Sequence, residues 1–297
     1  MAKGLIVLNP AAGEGNPEQT KATIESVLGA DSYDLHETKE GENLHEAVQT
    51  AVQHNSYKWV AAVGGDGTVT QVADGLAEGE VPLAIIPAGT GNVLAQTFSI
   101  PQETDAACQL LANYEMARPI DAIRIGEQYF FLQVGIGLEA ATMHSTSSAQ
   151  KNRWGVLAYL VNAVKEAFGW QPYHFTLTID GETHSLYASE LVIANAREIG
   201  VFGLEWSETI APDDGRIDVA VVRARSLADY ARVLLAMVRR RQHKTRHIRV
   251  FTAREEIRLE AEQQLPLHGD GEIIKEEMPV TSVVVAGALK IIVPQEE

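Results

Sequence analysis

Short runs of apolar residues alternate with amphipathic stretches over the first third of the chain. Gly4 to Leu8, Trp59 to Val63 and Leu83 to Ile86 are apolar at nearly every position, which is typical of parallel strands buried on both faces. Tyr33 to Glu37 is a weaker strand, and Leu44 to Val52 carries apolar residues at helical spacing. This alternation predicts a doubly wound parallel sheet, whose ligands lie outside the carboxyl ends of its strands.

The pattern changes after Arg118-Pro119-Ile120-Asp121 to the two-residue alternation of antiparallel strands. Asp180-Gly181 marks a hairpin turn, and a single long helix from about Trp154 to Phe168 interrupts the strands. We therefore predict a second, β-rich domain, most simply an antiparallel β-sandwich. Its predicted strands are Tyr129 to Val134, Tyr173 to Ile179, Thr183 to Ile193 and Ile217 to Val222.

Composition narrows the class of protein. The 297 residues exceed the usual size of one domain, and 45% hydrophobic with 22% charged residues is typical of globular proteins. The formal net charge of −16 argues against a nucleic-acid partner, because phosphates would be repelled. Cys108 is the only cysteine, which excludes an internal disulfide and a cysteine metal site and favours a reducing cytoplasm.

No stretch of the sequence has the length of a membrane span. Met1 to Leu8 is too short for the apolar core of a secretory signal. Leu227 to Val238 contains two charged residues and falls short of the roughly 20 apolar residues that cross a bilayer. We expect a cytoplasmic protein that is not integral to a membrane.

Two glycine-rich turns hold most of the visible chemistry: Gly64-Gly65-Asp66-Gly67-Thr68 and Pro87-Ala88-Gly89-Thr90-Gly91-Asn92. Each follows a buried strand, so adjacent parallel strands would set them side by side. Glycines let phosphate oxygens approach backbone N–H groups, threonine hydroxyls can donate, and an aspartate can hold a hydrated cation. The pair suits a nucleoside triphosphate with Mg²⁺, although either turn alone also fits an ordinary strand-to-helix connection.

With His268-Gly269-Asp270-Gly271-Glu272 far downstream, these turns resemble the soluble diacylglycerol kinase catalytic family, which includes bacterial lipid kinases and sphingosine kinases. The first turn is shared with NAD kinases and phosphofructokinases, so the second turn and the late Asp-Gly-Glu make the resemblance specific. It covers almost the whole chain. It implies an ATP-binding domain at residues 1–120, a lipid-substrate domain at 121–287, and a tail, about 288–297, that packs back on the first domain.

The resemblance implies an ATP-dependent kinase acting on a hydroxyl of a diacylglycerol, sphingoid or related lipid. Glu272 would be the general base, and Asp66 and Asp121 would belong to a Mg²⁺–water network. From the residues alone, Glu272 is better explained as a carboxylate of a hairpin whose turn is Asp270-Gly271. The residues implied to bind ATP are Asn9, Pro10, Ala11, Ala12, Gly13, Thr38, Gly64, Gly65, Asp66, Gly67, Thr68, Val69, Thr70, Gly89, Thr90 and Asn92.

The segment around Asp213-Asp214-Gly215 is, from its residues, a plain turn. The resemblance implies a structural Mg²⁺ site there, formed by the Asp214 carboxylate and the backbone carbonyls of Ala211 and Arg216. Gly135 to Ala140 matches a dinucleotide fingerprint but lacks the acidic residue roughly 20 positions on, so we reject it as an NAD site.

Three residues depart from the family pattern. Val93 stands where many bacterial members have Asp, and Gln71 and Asp74 replace the Glu and Asn often found in the helix after the first turn. The details of the metal network and the choice of diacylglycerol as acceptor therefore stay open. Two alternatives also remain: an NAD-kinase-like phosphotransferase, and a catalytically silent nucleotide or lipid sensor.

The densest basic segment lies between Arg239 and Arg249, directly after the apolar stretch Leu227 to Val238. One interpretation is a solvated helix end whose arginines favour the C-terminal dipole. The other is a transient contact with an anionic membrane surface, which would orient the protein toward its lipid substrate. The sequence leaves the oligomeric state open, a homodimer included.

Overall fold

The computed structural model describes residues 3–13, 16–137, 172–199 and 204–295. The chain forms two compact units, Met1–Ala122 with Ala286–Glu297, and Ile123–Val285. The helix predicted from about Trp154 to Phe168 lies outside the described residues.

The first unit is the predicted parallel α/β sheet, with strands in the order β2-β1-β3-β4. All residues of β1, β3 and β4 are buried, because helices cover the sheet. Its elements are β1 (Gly4–Leu8), α1 (Pro17–Leu28), β2 (Tyr33–Glu37), α2 (Leu44–His54), β3 (Val60–Gly64), α3 (Asp66–Leu76), β4 (Leu83–Pro87), α4 (Val93–Thr97) and α5 (Thr104–Ala112).

Local chemistry explains where the helices of this unit begin. The Asn16 side chain accepts a hydrogen bond from Glu18 N before α1, and Pro17 stands at the first helical position, where its missing N–H costs nothing. Asn43 caps α2 in the same way through Glu46 N. The core between sheet and helices contains Ile6, Val63, Ile86, Cys108 and Leu111, among other apolar residues.

The second unit is the predicted antiparallel β-sandwich. One sheet has the order β14-β13-β10-β7-β16-β17, and the other pairs β15 with β18 and β8, with β9 beside β8. Alternate residues point into a core between them. Its elements are β5 (Ala117–Ile125, begun in the first unit), β6 (Gln128–Phe130), β7 (Gln133–Gly137), β8 (Tyr173–Ile179), β9 (Glu182–Ala188), β10 (Glu190–Ala194), β11 (Glu198–Ile199), β12 (Leu204–Glu205), β13 (Ile217–Val222), α6 (Leu227–Val238), β14 (Ile248–Ala253), β15 (Glu256–Ala261), β16 (Leu267–Gly269), β17 (Glu272–Ile274) and β18 (Val280–Ile292).

Two predicted strands are each divided in the structure. The stretch Thr183 to Ile193 breaks at Ser189, whose N–H and hydroxyl both donate to Val222 O, so that β9 pairs with β8 while β10 pairs with β13 and β7. The stretch Tyr129 to Val134 breaks between β6 and β7, where the backbone amides of Phe131 and Leu132 donate to the Asp270 carboxylate. Neither partner is near in sequence, so alternation alone could not reveal the breaks.

The last strand begins in the second unit and ends in the first. Its early residues pair with β15, and near its end Ile291 pairs with Leu83 of β4. Within the first unit, Glu78 N donates to Ala288 O at 2.7 Å, and Ile292 joins the core.

Candidate active site

Four of the predicted nucleotide-contact segments lie where parallel strands of the first unit end. Asn9 follows β1, Thr38 follows β2, and the two glycine turns follow β3 and β4. Thr38 N donates to Leu8 O and Asn9 N to Val63 O, both at 2.9 Å, and Ala88 N donates to Gly64 O at 2.9 Å. These bonds continue the strand ladder into the loops, so the segments share one edge of the sheet.

Asn9 fixes the first turn relative to the loop after β1. Its side-chain amide donates to the Thr68 hydroxyl oxygen at 2.9 Å, and its carbonyl oxygen accepts from Ala11 N at 2.9 Å. Ala12 N donates to Asn9 O, and Pro10, Ala11 and Gly13 are exposed around this turn. Asn9 therefore orders both its own loop and Thr68, whereas the sequence indicated only a contact with the nucleotide.

The two glycine turns touch each other directly. A Cβ built on Gly89 would lie 2.5 Å from Gly65 Cα, closer than side-chain atoms approach a backbone, so only glycine permits this contact. A Cβ on Gly67 would meet nothing within 4 Å. The glycines thus have different roles, since Gly65 and Gly89 bring the loops together and Gly67 faces open space where a phosphate could approach.

Asp66 links the first turn to the second. One carboxylate oxygen, Oδ1, accepts from Val93 N at 2.6 Å. Burial raises the pKa of the Asp66 carboxyl, while bonds from the amides of Val93, Asn92 and Leu94 act in the opposite direction. Val93, which replaces an aspartate of many bacterial relatives, contributes its backbone N–H here.

Asn92 holds the second turn in shape. It has a left-handed backbone conformation, with φ +47°, and its side chain both accepts from Gly89 N and donates to Gly89 O at 3.0 Å. The same amide donates to Gln102 Oε1 at 3.1 Å, and Gln96 Nε2 donates to Gly91 O. Neither Gln96 nor Gln102 was predicted from the sequence, because no motif marks a glutamine that reaches back across a turn.

The other predicted contacts of the glycine turns fall into two groups. Thr90 is exposed, whereas Thr68, Val69 and Thr70 are buried. Thr70 donates its hydroxyl to Asp66 O at 3.0 Å, and Val69 N donates to Gly65 O inside α3. The buried group therefore shapes the start of the helix.

Asp121 and Glu272 belong to strands and not to the glycine turns. Asp121 is buried on β5, and its Oδ1 accepts from Gly287 N at 2.8 Å within the first unit. Glu272 is an exposed residue at the start of β17 in the second unit.

Asp270 explains how the hairpin that carries Glu272 is held. Its carboxylate accepts from three successive amides, Phe131 N at 2.7 Å, Leu132 N at 3.0 Å and Gln133 N at 2.9 Å. Asp270 N donates in turn to Gln133 O at 3.0 Å. The Asp270-Gly271 turn is thus anchored to the connection between β6 and β7, two residues before Glu272.

The predicted structural metal site is a turn directly before β13. Asp214 and Arg216 are exposed, and Gly215 has a positive φ of 72°. Burial raises the pKa of Asp218, four residues after Asp214, and the Asp214 charge adds to this shift. A cation at Asp214 would relieve that repulsion, so the electrostatics of the turn are compatible with one.

The donor set near the glycine turns fits a hydrated magnesium ion. In the described part of the chain, no cluster of three or more histidine, cysteine, aspartate or glutamate side chains could enclose a metal. Mg²⁺ usually keeps several waters and binds one or two carboxylates together with substrate phosphates, which is the arrangement that Asp66 at the edge of the sheet can offer.

Two family models match the chain. The model described as the diacylglycerol kinase catalytic domain matches residues 3–125, and the YegS C-terminal NAD kinase beta sandwich-like domain matches residues 133–293, which is more than half of the chain. The first of these models, together with relatives named as diacylglycerol kinases, places the chain in the class of phosphotransferases with an alcohol group as acceptor. The chain belongs to the family of proteins that combine a diacylglycerol kinase catalytic domain with this C-terminal domain.

Individual relatives agree with this assignment. A diacylglycerol kinase of Bacillus subtilis is 26% identical over 92% of this chain and 90% of its own. An uncharacterized protein of Synechocystis is 27% identical over 75% of this chain, which spans only 54% of that protein. The crystal structure of a diacylglycerol kinase from Bacillus anthracis matches the fold with a TM-score of 0.81 at 24% identity, over 98% of this chain and 97% of that one.

Proposed function

We propose that the protein is an ATP-dependent lipid kinase that transfers the γ-phosphate to a hydroxyl of a diacylglycerol, sphingoid or related lipid. The observation that carries this proposal is the pair of interlocked glycine turns at the carboxyl ends of β3 and β4, in a chain of the diacylglycerol kinase family. In this proposal residues 1–120 with the tail from about 288 bind ATP, and residues 121–287 bind the lipid.

The turns would hold the triphosphate through backbone N–H groups at the edge of the sheet. Gly67 offers open space, Thr90 is accessible, and α3 begins at Asp66 with the positive end of its dipole directed to the loop. The order that Asn9 and Asn92 impose on the loops means that little entropy would be lost when the nucleotide binds.

Glu272 would act as the general base. In the transfer, the lipid hydroxyl oxygen forms a bond to the γ-phosphorus, its proton passes to the Glu272 carboxylate, and the bond from that phosphorus to the β–γ bridging oxygen breaks to release ADP. The Asp270 anchor would hold Glu272 ready for this step.

Mg²⁺ would be held through water by Asp66 and Asp121 and directly by the phosphates. When bound, it would neutralise charge that develops on the phosphate oxygens. A second Mg²⁺, at the Asp214 carboxylate and the carbonyls of Ala211 and Arg216, would have a structural role.

A lipid acceptor places the reaction at the surface of a membrane. No helix in the described ranges is long and apolar enough to cross a bilayer. Because the acceptor is a lipid, we propose a cytoplasmic enzyme that contacts the membrane peripherally and transiently.

The test is a phosphorylation assay with γ-labelled ATP and purified acceptors: a diacylglycerol, a sphingoid base, a monoacylglycerol and NAD. We expect label in a chloroform-soluble phosphomonoester formed from one of the lipids. Label in a water-soluble dinucleotide would favour the NAD-kinase-like alternative. Tight ATP binding without transfer to any acceptor, including a total membrane lipid extract, would favour the silent sensor.

A further inference from the structure

The helix α6 has an exposed face that combines apolar and basic residues. Val233 and Met237 on its inner side pack with Trp206, Ala220 and other residues on the outer face of the β14-β13-β10 part of the sheet. The outward residues recur at helical spacing: Ala228, Ala231, Arg232, Leu235, Val238 and Arg239.

Leu235 and Val238 are the unusual members of this face. They are 46% and 64% exposed, although both are large aliphatic residues and the helix has a well-packed opposite side. Core packing does not require them to be apolar. Their position on one stripe with Arg232 and Arg239 is that of a helix that contacts an interface with water on one side.

The charge around this face is opposite to that of the chain. Residues 223–249 contain nine arginines and lysines and one aspartate, within a protein of net charge −16. One or two cations near the last carbonyls of a helix stabilise its C-terminus, so the helix dipole does not explain a segment with nine basic residues. The segment is therefore a strongly positive region on an otherwise acidic molecule.

Within the described ranges of the chain, most of these cations have no carboxylate at ion-pair distance. Arg232 pairs with Asp229 at 2.7 Å, and Arg240 lies 3.6 Å from Glu205 while its side chain stays 68% exposed. Among the residues that the structure describes, no carboxylate lies within ion-pair distance of Arg239, Arg241 or Arg246. These side chains can meet an external anion without first breaking an ion pair.

We propose that the outer face of α6 and the basic segment Arg239 to Arg249 form the surface that docks on an anionic lipid bilayer. The proposed function supplies the reason for a bilayer as partner, since the acceptor lipid is found there. The charge complements anionic headgroups, and Leu235 with Val238 can enter the boundary between headgroups and acyl chains. Nucleic acid would use the arginines but leave the exposed aliphatic pair without a partner.

The test measures sedimentation of the full chain with phosphatidylcholine vesicles and with phosphatidylcholine–phosphatidylglycerol vesicles, without ATP or acceptor. We expect binding to the anionic vesicles alone, and binding that weakens with added salt. Arg239→Gln/Arg240→Gln/Arg241→Gln should weaken it by about tenfold or more. Leu235→Ser/Val238→Ser should also weaken it, and its residual binding should be more sensitive to salt.

The matched control removes three exposed cations from outside the segment, as Lys58→Gln/Arg254→Gln/Arg258→Gln, and should leave vesicle binding unchanged. Circular dichroism checks the fold of every variant, and transfer to detergent-dispersed lipid should be the same for the arginine triple variant and wild type. Equal loss in the two triple variants would overturn the proposal, as would preference for duplex DNA over anionic vesicles at the same salt. Vesicle binding by a protein that phosphorylates no lipid would refute the proposed function and leave the docking surface standing.

Discussion

Asp66 is the residue on which the geometry of the candidate active site most depends. The sequence identified it by its place in a glycine turn, but its bond to Val93 N, 27 residues away, could not be predicted from a motif. Through this bond the Asp66 carboxylate orders the second turn. Val93 takes part with its backbone N–H, so its apolar side chain does not prevent this role. Gln102 and Gln96 illustrate the same limit, because their roles depend on a loop conformation that only the folded chain defines.

We predict that Asp66→Asn lowers phosphoryl transfer by at least about 10²-fold, because an amide cannot supply the charge near the cation. The variant should still fold. Burial raises the folded-state pKa of Asp66, so ionisation opposes folding and this cost appears as pH rises through that pKa. At neutral pH, urea unfolding of the variant should therefore show a stability equal to or above that of wild type, and a large loss of stability would contradict this account.

A second residue-scale prediction concerns Asp270 and its structural counterpart Asp180. Asp180 accepts from Arg254 N, Glu255 N and Glu256 N at 2.9–3.0 Å, and its own N–H donates to Glu256 O, as Asp270 N does to Gln133 O. Each aspartate has a positive φ before a glycine. Asp270→Asn should lower the free energy of unfolding by about 2–4 kcal/mol, because its hydrogen bonds lose their charged acceptor. It should also lower turnover, because Glu272 is displaced.

Asp180→Asn is the matched control, since it loosens the same kind of hairpin without carrying Glu272. Asp180 is more exposed than Asp270. We therefore expect Asp180→Asn to lower the free energy of unfolding by about 1 kcal/mol and to leave turnover per folded molecule unchanged. Burial acts to raise the Asp180 pKa, but the three amides outweigh it and hold the pKa below its ordinary value. The stabilisation should therefore be present above the unfolded pKa and disappear as pH falls through the folded one. If both variants change turnover equally, Asp270 does not position Glu272.

At the scale of elements, the sequence predicted best where periodicity is local. The bounds of β2, β8, β13 and α6 agree with their predicted bounds, since each has an unbroken pattern between turn residues. The sequence predicted strand ends poorly where a hydrogen bond to a distant residue ends the strand, as at Ser189 and Phe131. The strands β14 and β15 were not predicted at all, although β15 alternates in burial along its length.

The turn before β13 gives a prediction at the same scale. If Asp214 binds a structural Mg²⁺, a chelator should lower the melting temperature of wild type, because a ligand at 100 times its dissociation constant stabilises the fold by about 2.7 kcal/mol. Asp214→Ala should melt at the chelated temperature with or without chelator, and its turnover per folded molecule should change less. An exposed-carboxylate control, Asp31→Ala, should keep the chelator effect. Identical wild-type melting curves with and without chelator would show that this segment binds no structural metal and is a plain turn.

At the scale of the whole molecule, the chain returns to its first unit at the end. Ile291 and Ile292 are fully buried there, and Gly287 N binds Asp121. The sequence indicated an apolar, β-rich tail, but only the family resemblance indicated where it packs. Strand pairing between residues 83 and 291 is too distant for any local pattern to specify.

We predict that Ile291→Ala destabilises the first unit by about 2–5 kcal/mol through the cavity it leaves. The reactivity of Cys108 measures this loss of stability. Its thiol is fully buried in the same unit, and burial raises the pKa of that thiol to about 11. Its reaction with a thiol reagent near pH 8 should be slow in wild type and at least about tenfold faster in Ile291→Ala. Ile257→Ala, in the core of the second unit, should accelerate it less, and equal acceleration would show that the two units unfold as one.

If phosphate is transferred to a lipid hydroxyl with Glu272 as the base, the variant Glu272→Gln should lose turnover and keep nucleotide binding. Wild type, this variant and the exposed-carboxylate control Glu277→Gln are given γ-labelled ATP and the lipid acceptor, and the labelled phosphomonoester is counted. We predict that Glu272→Gln binds ATP as wild type does but forms product at least about 10²-fold more slowly, while Glu277→Gln is unaffected. Near wild-type product formation by Glu272→Gln would contradict the account.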